Sequence, residues 1–335
     1  MMSSDRYNME NMKKALRNPS LIGKEIYRLS QRAHEKSSTA VKKANNIRFR
    51  MKYGDGEDFM QKDWDNLIIL DALRYDYFEE QNHLDGNLSK IVSRGAHSWE
   101  FMEGNFVGKE FHDTVYVTAN PHTPKLSDDV FYTIENLLDR WDSPGTVLPE
   151  EVVAGALEVH EKYPDKRLVI HFMQPHAPHL GPTAERYREE CDVRGWNAGY
   201  FTDEVDVSEE SGMEGMRWDN AAESGEISRE QVRNAYSETL DIVLDYVEDL
   251  VEEIDGKSVI TGDHGQMLGE RLFPGTSPIY GHPHDIYTSE LCVVPWFEMD
   301  AESRRDVRAE DPIGREEMEQ DVVNERLQAL GYAPE

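Results

Sequence analysis

Cysteine is scarce in this 335-residue sequence, which contains only Cys191 and Cys292. Two cysteines cannot build the disulfide framework on which many small secreted domains depend. The sequence also lacks any run of about 18 apolar residues, the length that a transmembrane helix requires. Its first residues lack the apolar core of a secretory signal peptide. We therefore expect a soluble, cytoplasmic protein.

Basic residues are few relative to acidic ones. The chain has 36 Lys and Arg residues against 66 Asp and Glu residues, and its formal net charge is −30 at pH 7. A surface of this charge repels the phosphates of nucleic acids, which excludes nucleic acid as a general partner. Because the excess of acid extends over most of the chain, it is typical of a halophilic protein, whose self-repulsion is screened by salt. An ordinary acidic protein is the alternative interpretation.

Residues 13–52 differ from the rest of the chain, because they hold 12 Lys and Arg residues and only two acids, for a net charge of +10. Apolar residues between Leu21 and Leu29 recur at roughly helical spacing beside basic ones, which predicts one or two basic amphipathic helices. This segment could dock on the protein's own acidic body. It could instead bind anionic lipid, as a peripheral membrane contact, or an acidic partner.

Composition divides the chain into three parts. Residues 1–56 form a basic helical arm with a linker. Residues 57–299 form the core, which contains a polar insertion or lid at about 182–228. Residues 300–335 form an acidic tail, with a helix predicted around Val322–Leu330.

The core alternates short apolar runs with amphipathic stretches, a pattern typical of an α/β fold. Leu67–Leu70 is a continuous apolar run, as expected for a strand that is buried on both faces. Further strands are predicted at Thr114–Thr118, Arg167–Met173, Val259–Gly262 and Leu291–Phe297, and helices at about 127–141, 149–162 and 229–254. We therefore predict a mostly parallel central sheet sandwiched by helices.

Side chains that can bind a metal ion follow several of these strands. Each of them could be a helix cap or part of a turn when it is considered alone. Because the carboxyl ends of parallel strands meet at one edge of a sheet, a single divalent-metal site explains all of them together. The side chains concerned are Asp71, His176, Asp263 and His264, with His282 and His284 just before the last strand.

Several segments resemble the alkaline phosphatase/sulfatase superfamily and occur in that family's order. They are Asn66–Asp71 with Arg74 and Asp76, Arg94–Trp99, Thr118–Pro121, Pro175–Pro178, Thr261–Gly265 with Gly269-Glu270, and Gly281-His282 with Val293–Pro295. The resemblance implies an alkaline-phosphatase-like core. It also implies that Asp71, Asp263 and His264 bind a divalent cation (Ca, Mg, Mn or Zn), and that His176 and His282 face the anionic group of the substrate.

The resemblance also bears on the number of metal ions and on the nucleophile, which is a Ser, Thr or modified Cys in this family. The usual Asp-x-x-x-His pair for a second metal is missing around residues 171–179, so one metal ion is expected. Ser98 is the best match to the nucleophile, with Thr118 and Thr123 in reserve. Ser98 opens a predicted short helix, whose N-terminal dipole favours an attacking oxygen. A plain N-cap serine is the alternative.

No cysteine stands near Ser98, which removes the formylglycine of typical sulfatases and favours phosphate esters over sulfate esters. The resemblance therefore implies a hydrolase that cleaves or transfers a phosphate or sulfate ester of a small anionic substrate, glycan- or lipid-linked substrates included. Two alternatives are a degenerate relative that binds an anion without turnover and a phospho-group transferase acting on lipids or glycans. The residues assigned to substrate binding are Arg74, Asn120, His179 and His284.

Overall fold

The computed structural model describes residues 39–142, 145–191, 193 and 217–314. The helix predicted around Val322–Leu330 and the amphipathic pattern between Leu21 and Leu29 lie outside these residues. Within the described part of the chain, no helix combines the length and the apolar character that a membrane crossing needs.

The described residues form an alternation of strands and helices. The strands are β1 (Asn66–Asp71), β2 (Asn87–Val92), β3 (Phe111–Thr118), β4 (Phe131–Asn136), β5 (Trp141–Asp142), β6 (Thr146–Val147), β7 (Arg167–Pro175), β8 (Ser258–Gly262), β9 (Met267–Glu270), β10 (Ile279–Gly281) and β11 (Val293–Glu298). The helices are α1 (39–53), α2 (Tyr75–Gln81), α3 (Ser98–Asn105), α4 (Pro149–Lys162), α5 (Pro182–Cys191), α6 (Trp218–Ser224), α7 (Arg229–Glu253) and α8 (Ser289–Cys292).

Seven of the strands form one sheet in the order β2-β11-β8-β1-β7-β3-β4. β1 lies at its centre and pairs in parallel with β7 on one side and with β8 on the other. β3 and β4 continue the parallel arrangement, and β11 runs antiparallel to β8 and β2. The predicted α/β fold with a mostly parallel central sheet is confirmed.

Helices cover both faces of this sheet. Along β1, Ile68 and Leu70 pack into one buried cluster with residues of α4 and α7, and Leu67 and Ile69 pack into a second cluster with residues of α3. Because successive side chains of a strand point to opposite faces, a strand between two such layers must be apolar throughout. This requirement explains the uninterrupted run Leu67–Leu70.

The helices predicted at 149–162 and 229–254 are confirmed as α4 and α7. α7 begins at a capping box, in which Ser228 Oγ accepts a hydrogen bond from Gln231 N (3.2 Å) and Gln231 Oε1 accepts one from Ser228 N (2.8 Å). Each capping bond satisfies a backbone donor that the first turn of a helix otherwise leaves without a partner.

The helix predicted at 127–141 is wrong. This stretch contains β4 and a 3-10 turn at Leu138–Arg140. Its apolar residues fit helical spacing, but Phe131 and Ile134 are also good strand formers, and pairing with β3 decides between the two structures. The Phe131 ring packs in the core against other aromatic rings, with centroids 5.1 Å from Phe106 and 5.1 Å from Tyr116.

The two ends of the stretch predicted as an insertion or lid are α5 and α6. Tyr187 of α5 and Trp218 of α6 are buried together with Tyr236 of α7. These ends therefore form a small apolar cluster with α7 and with Leu268 of β9 and Tyr280 of β10. Residues 192 and 194–216 between them lie outside the described part.

Candidate metal centre and active site

The end of β1 is a tight turn that directs Asp71 towards the end of β8. Ala72, the next residue, has φ +64°, a left-handed conformation that is unusual for a residue with a Cβ. Hydrogen bonds hold it there: Ala72 N donates to Asp263 Oδ1 (3.1 Å), and Tyr236 Oη donates to Ala72 O (2.8 Å). The first of these hydrogen bonds directly links the end of β1 to the turn that carries Asp263.

The Asp263 carboxylate has two different oxygens. Oδ1 accepts hydrogen bonds from Ala72 N and from His264 N (2.8 Å) and so shapes the turn. Oδ2 is buried and has no hydrogen-bond partner. One oxygen is thus structural, and the other is available to a ligand.

Gly265 allows the chain to pass close to α8 directly after these residues. A Cβ at this position would lie 2.1 Å from the carbonyl oxygen of Glu290. We expect Gly265→Ala to lower the free energy of unfolding by about 2–3 kcal/mol, because the backbone of α8 must move to admit the methyl group.

Chemical denaturation of Gly265→Ala and Gly275→Ala tests this expectation. Gly275 has a positive φ but open space around it. The control should therefore lose only about 1 kcal/mol, the cost of the left-handed conformation. Equal losses in the two variants would contradict a steric requirement at Gly265.

His171 on β7 lies beside Asp71 and Asp263 and completes a group of three possible metal ligands. Of the three, His171 was not predicted from the sequence. One ligand atom from each of Asp71, His171 and Asp263 lies within 4.8 Å of the others, and all three residues are buried. Asp71 Oδ1, His171 Nε2 and Asp263 Oδ2 each lack a hydrogen-bond partner. Three buried polar atoms left without partners are costly unless something binds them, and a divalent cation fits both their number and their chemistry.

The imidazole of His171 is oriented by a second contact. Its Nδ1 forms a 2.8 Å hydrogen bond with Tyr116 Oη. If the imidazole donates its Nδ1 proton to this oxygen, it presents a lone pair on Nε2, towards Asp263 Oδ2 at 3.6 Å. A histidine inside an otherwise apolar strand was the sequence signal for this residue.

His264 lies beside both carboxylates, as the sequence analysis predicted. Its Nε2 is 3.3 Å from Asp71 Oδ1 and 3.6 Å from Asp263 Oδ2. Burial on its own lowers the pKa of His264, but the charges of Asp263 and Asp71 outweigh burial and raise the pKa to about 9. Burial raises the pKa of Asp263, and the neighbouring imidazoles outweigh it so that the pKa falls below its usual range. The structure therefore brings the three predicted metal ligands together.

Ser98 is the first residue of α3 and is fully buried against this group. Its Oγ lies 3.3 Å from Asp71 Oδ2 and 3.3 Å from His264 Nε2. The reserve hydroxyls bond elsewhere: Thr118 Oγ1 accepts from Asn120 N (2.9 Å), and Thr123 Oγ1 donates to Asn120 O (2.5 Å). The Ser98 hydroxyl is therefore in contact with both Asp71 and His264.

His176 and His282 form a pair next to His264. Their Nε2 atoms are 2.9 Å apart, and the rings of His264 and His282 lie 4.8 Å apart. The backbone N–H of His176 donates to Asp71 O (3.1 Å), which anchors the loop after β7 to the end of β1. Burial, followed by the neighbouring imidazoles, lowers the pKa of His282 well below its usual value, so this ring is neutral at pH 7.

The four residues assigned to substrate binding have different surroundings. His284 Nδ1 lies 3.2 Å from Nε2 of His97, a buried histidine that the sequence analysis did not select. Asn120 Oδ1 accepts from the N–H of residue 122 (3.0 Å) and shapes the loop after β3. His284 lies in the same loop as His282, and Asn120 follows β3, the strand next to β7, whose loop carries His176.

Arg74 and His179 make other contacts. The Arg74 guanidinium pairs with Asp76 (2.6 Å) and Glu270 (3.0 Å), which links α2 to β9. The His179 ring is buried against Trp218 at 4.9 Å, and burial lowers its pKa to about 3. The contacts of both side chains are those of structural residues.

Comparison with known proteins gives one family. The sequence model of the family described as Sulfatase matches residues 89–331, more than half of the chain. The matched range contains Ser98, Asp263 and His264, and it begins after β1, which carries Asp71. No curated protein matches the chain at a significant level.

Several solved structures are similar at low identity. The integral membrane protein lipooligosaccharide phosphoethanolamine transferase A from Neisseria meningitidis is 16% identical, with a TM-score of 0.41, over 69% of this chain and 47% of that one. The present chain thus spans less than half of that transferase. The C-terminal periplasmic domain of EcEptC from Escherichia coli, in complex with Zn, is 13% identical, with a TM-score of 0.46, over 74% and 76%. Similarities of this size carry no conclusion about activity.

Proposed function

Because the chain belongs to the sulfatase family of the alkaline phosphatase superfamily, we propose that it is a metal-dependent enzyme that cleaves or transfers a phosphate or sulfate ester through Ser98. The observation that carries this proposal is the position of the Ser98 hydroxyl. It lies 3.3 Å from Asp71 Oδ2 and at the N-terminus of a helix, beside three buried ligand atoms without partners. A hydroxyl at such a place can be activated as a nucleophile.

The donor set supports a borderline metal ion. Two carboxylates with imidazoles from His171 and His264 suit Zn²⁺ or Mn²⁺, whereas Ca²⁺ and Mg²⁺ prefer oxygen ligands throughout. When bound, such an ion would lower the pKa of the Ser98 hydroxyl and neutralise the charge of the ester oxygens. Asp71, Asp263, His264 and His171 would hold it.

The residues of the chain then have distinct roles in the transfer step. Ser98 Oγ forms a bond to phosphorus or sulfur while the bond to the leaving oxygen breaks, and its proton passes to Asp71 Oδ2, which lies 3.3 Å from Ser98 Oγ. The free N–H groups at the start of α3 stabilise negative charge on the transferred group. The His176–His282 pair donates hydrogen bonds to that group, and its His176 member supplies the proton that the leaving oxygen takes.

The second step decides between hydrolysis and transfer. Water attacking the group on Ser98 gives hydrolysis, and an acceptor alcohol gives transfer. Because no cysteine is present near Ser98 to be converted to formylglycine, we propose that phosphate monoesters or diesters are better substrates than sulfate esters.

Metal removal tests the proposed function. We expect chelation to reduce turnover of an aryl phosphate at least about a hundredfold, because the carboxylates and imidazoles cannot activate Ser98 without the ion. Zn²⁺ or Mn²⁺ should restore the rate better than Ca²⁺. Rates on an aryl phosphate, a bis-aryl phosphodiester and an aryl sulfate, each at low and high salt, give the substrate class. A protein that binds the metal and cleaves none of these esters would support an anion-binding role instead.

A further inference from the structure

Helix α1 is attached to the body of the protein by one face only. Asn45 and Phe49 are buried on this inner face. Asn45 Nδ2 donates to Tyr287 O (2.8 Å), and Asn46 Nδ2 donates to Asp285 O (2.8 Å). The Phe49 side chain joins an apolar cluster with Ile286. These contacts fix the helix on the loop that directly follows His282 and His284.

The outer face of α1 presents apolar side chains to solvent. Ile47 and Met51, one helical turn apart, are 61% and 84% exposed. In the described part of the chain, two other large apolar side chains are exposed, Val107 and Ile313. Lys43 and Arg50 lie beside Ile47 and Met51 on the helix surface, as the 3.6-residue period requires. The outer face is therefore an apolar strip bordered by basic side chains.

The charge of α1 is opposite to that of the protein. Residues 39–53 contain five Lys and Arg residues and no acid, in a chain whose net charge is −30. In the described part of the chain, the basic side chains of α1 form one ion pair, between Arg50 and Asp55 at 3.8 Å, and both partners are exposed. Within the described residues, the other basic side chains of α1, Lys43 among them, therefore form no ion pair with the acidic body.

We propose that the outer face of α1 docks on an anionic lipid bilayer. Ile47 and Met51 would enter the boundary between headgroups and acyl chains, while Lys43 and Arg50 contact lipid phosphates. A bilayer therefore binds both the apolar and the basic side chains of this face. An acidic protein or nucleic acid that engaged only the charges would leave the two exposed apolar side chains without a role.

Two segments of the same chain could also cover this face. Charge speaks against the first segment, and position speaks against the second. Residues 13–38 contain seven Lys and Arg residues and two acids, so they repel α1. The acidic segment from residue 315 onwards starts at the opposite edge of the sheet, because Ile313 N donates to Tyr132 O (2.9 Å) of β4. That edge is six strand spacings, or about 29 Å, from β2.

The docked helix would hold the bilayer next to the candidate active site, because its inner face binds the backbone of Asp285 and Tyr287. The substrate class that follows is an ester carried by a lipid at the bilayer surface. This consequence, unlike the docking itself, rests on the proposed function.

Flotation of the full chain with vesicles tests the docking. Wild-type protein should float with vesicles of phosphatidylcholine containing about 30% phosphatidylglycerol, and not with phosphatidylcholine alone. Lys43→Gln/Arg50→Gln should lower the partition coefficient about thirtyfold at low salt. Each basic residue contributes about 1 kcal/mol to binding, and about 1.4 kcal/mol corresponds to a tenfold change. Ile47→Ser/Met51→Ser should lower it at least about tenfold. Val107→Ser/Ile313→Ser, the matched control, should bind like wild type.

Several outcomes would overturn the proposal. Wild-type protein that does not float, or floats equally with both vesicles, contradicts it, and so do Ile47 and Met51 variants that bind like wild type. Flotation that appears only after deletion of residues 315–335 would show that the C-terminal segment covers the outer face of α1 in the full chain. Ser98→Ala should float normally, so vesicle binding and the proposed catalysis can fail separately. Docking variants should also keep wild-type rates on a water-soluble aryl phosphate.

Discussion

Ser98→Ala is expected to lower kcat/KM at least about a thousandfold on any ester that the protein cleaves, because the proposed nucleophilic oxygen is removed. The loss should reside in kcat, since the metal ligands and the His176–His282 pair are unchanged. The variant should fold, because losing one buried hydroxyl costs about 1 kcal/mol of stability. Its affinity for Zn²⁺ or Mn²⁺ should stay within a few-fold of wild type.

Two matched variants make this experiment specific. Thr118→Val and Thr123→Val remove the other candidate hydroxyls near the same sheet edge, which bond to the backbone of Asn120, and both should keep turnover within about tenfold of wild type. Mass spectrometry of protein quenched during turnover should show the transferred group on Ser98 alone. A Ser98→Ala variant with wild-type activity, or a threonine variant that loses all of it, would contradict the assignment of the nucleophile.

Asp263→Asn is expected to weaken metal binding at least about a hundredfold and to abolish detectable turnover. The amide can keep Oδ1, which accepts from Ala72 N and His264 N, so the turn is preserved. Oδ2, the buried oxygen without a partner, becomes an NH₂ group that cannot bind a cation. This change separates the ligand from the fold better than alanine, which would remove both oxygens.

Thermal unfolding measures this effect without a substrate. Wild-type protein should gain roughly 2.7 kcal/mol of stability at a metal concentration a hundredfold above Kd, and Asp263→Asn should gain almost none. Asp65→Asn is the matched control: Asp65 is also a buried carboxylate, but it accepts from Lys257 N (2.8 Å) at the opposite end of β1. If Asp263→Asn keeps the metal-dependent stabilisation of wild type, the proposed metal site is wrong.

Local patterns predicted those parts of the fold in which the spacing of apolar residues fits only one kind of element. The β1 run is apolar at every position because both faces of the strand are covered, and no amphipathic helix shares that pattern. α7 combines a capping box with a long apolar stripe. β4 has neither signal, and its spacing fits a helix until Phe131–Asn136 pairs with β3.

The candidate site divides in the same way. Asp71 and Asp263 follow strand ends, so a general rule about parallel sheets placed them together. His171 lies inside β7, and its role depends on register: it is the partner of Ile69, so its side chain points to the same face as Asp71 two residues later. Arg74 lies in a segment that resembles the superfamily and was predicted to bind substrate. In the structure its guanidinium pairs with Glu270, nearly two hundred residues away.

Local chemistry alone was enough to predict an α/β core, a basic N-terminal arm and a metal-binding edge around Asp71, Asp263 and His264, because strand burial, charge and ligand type are properties of short segments. Tertiary structure was needed to favour Ser98 over the two threonines as the proposed nucleophile, to add His171 to the candidate metal site, and to show that Ile47 and Met51 of α1 are exposed among the described residues. Each of these depends on distances between atoms far apart in the chain. Such distances are set by strand register and packing, which short segments do not determine.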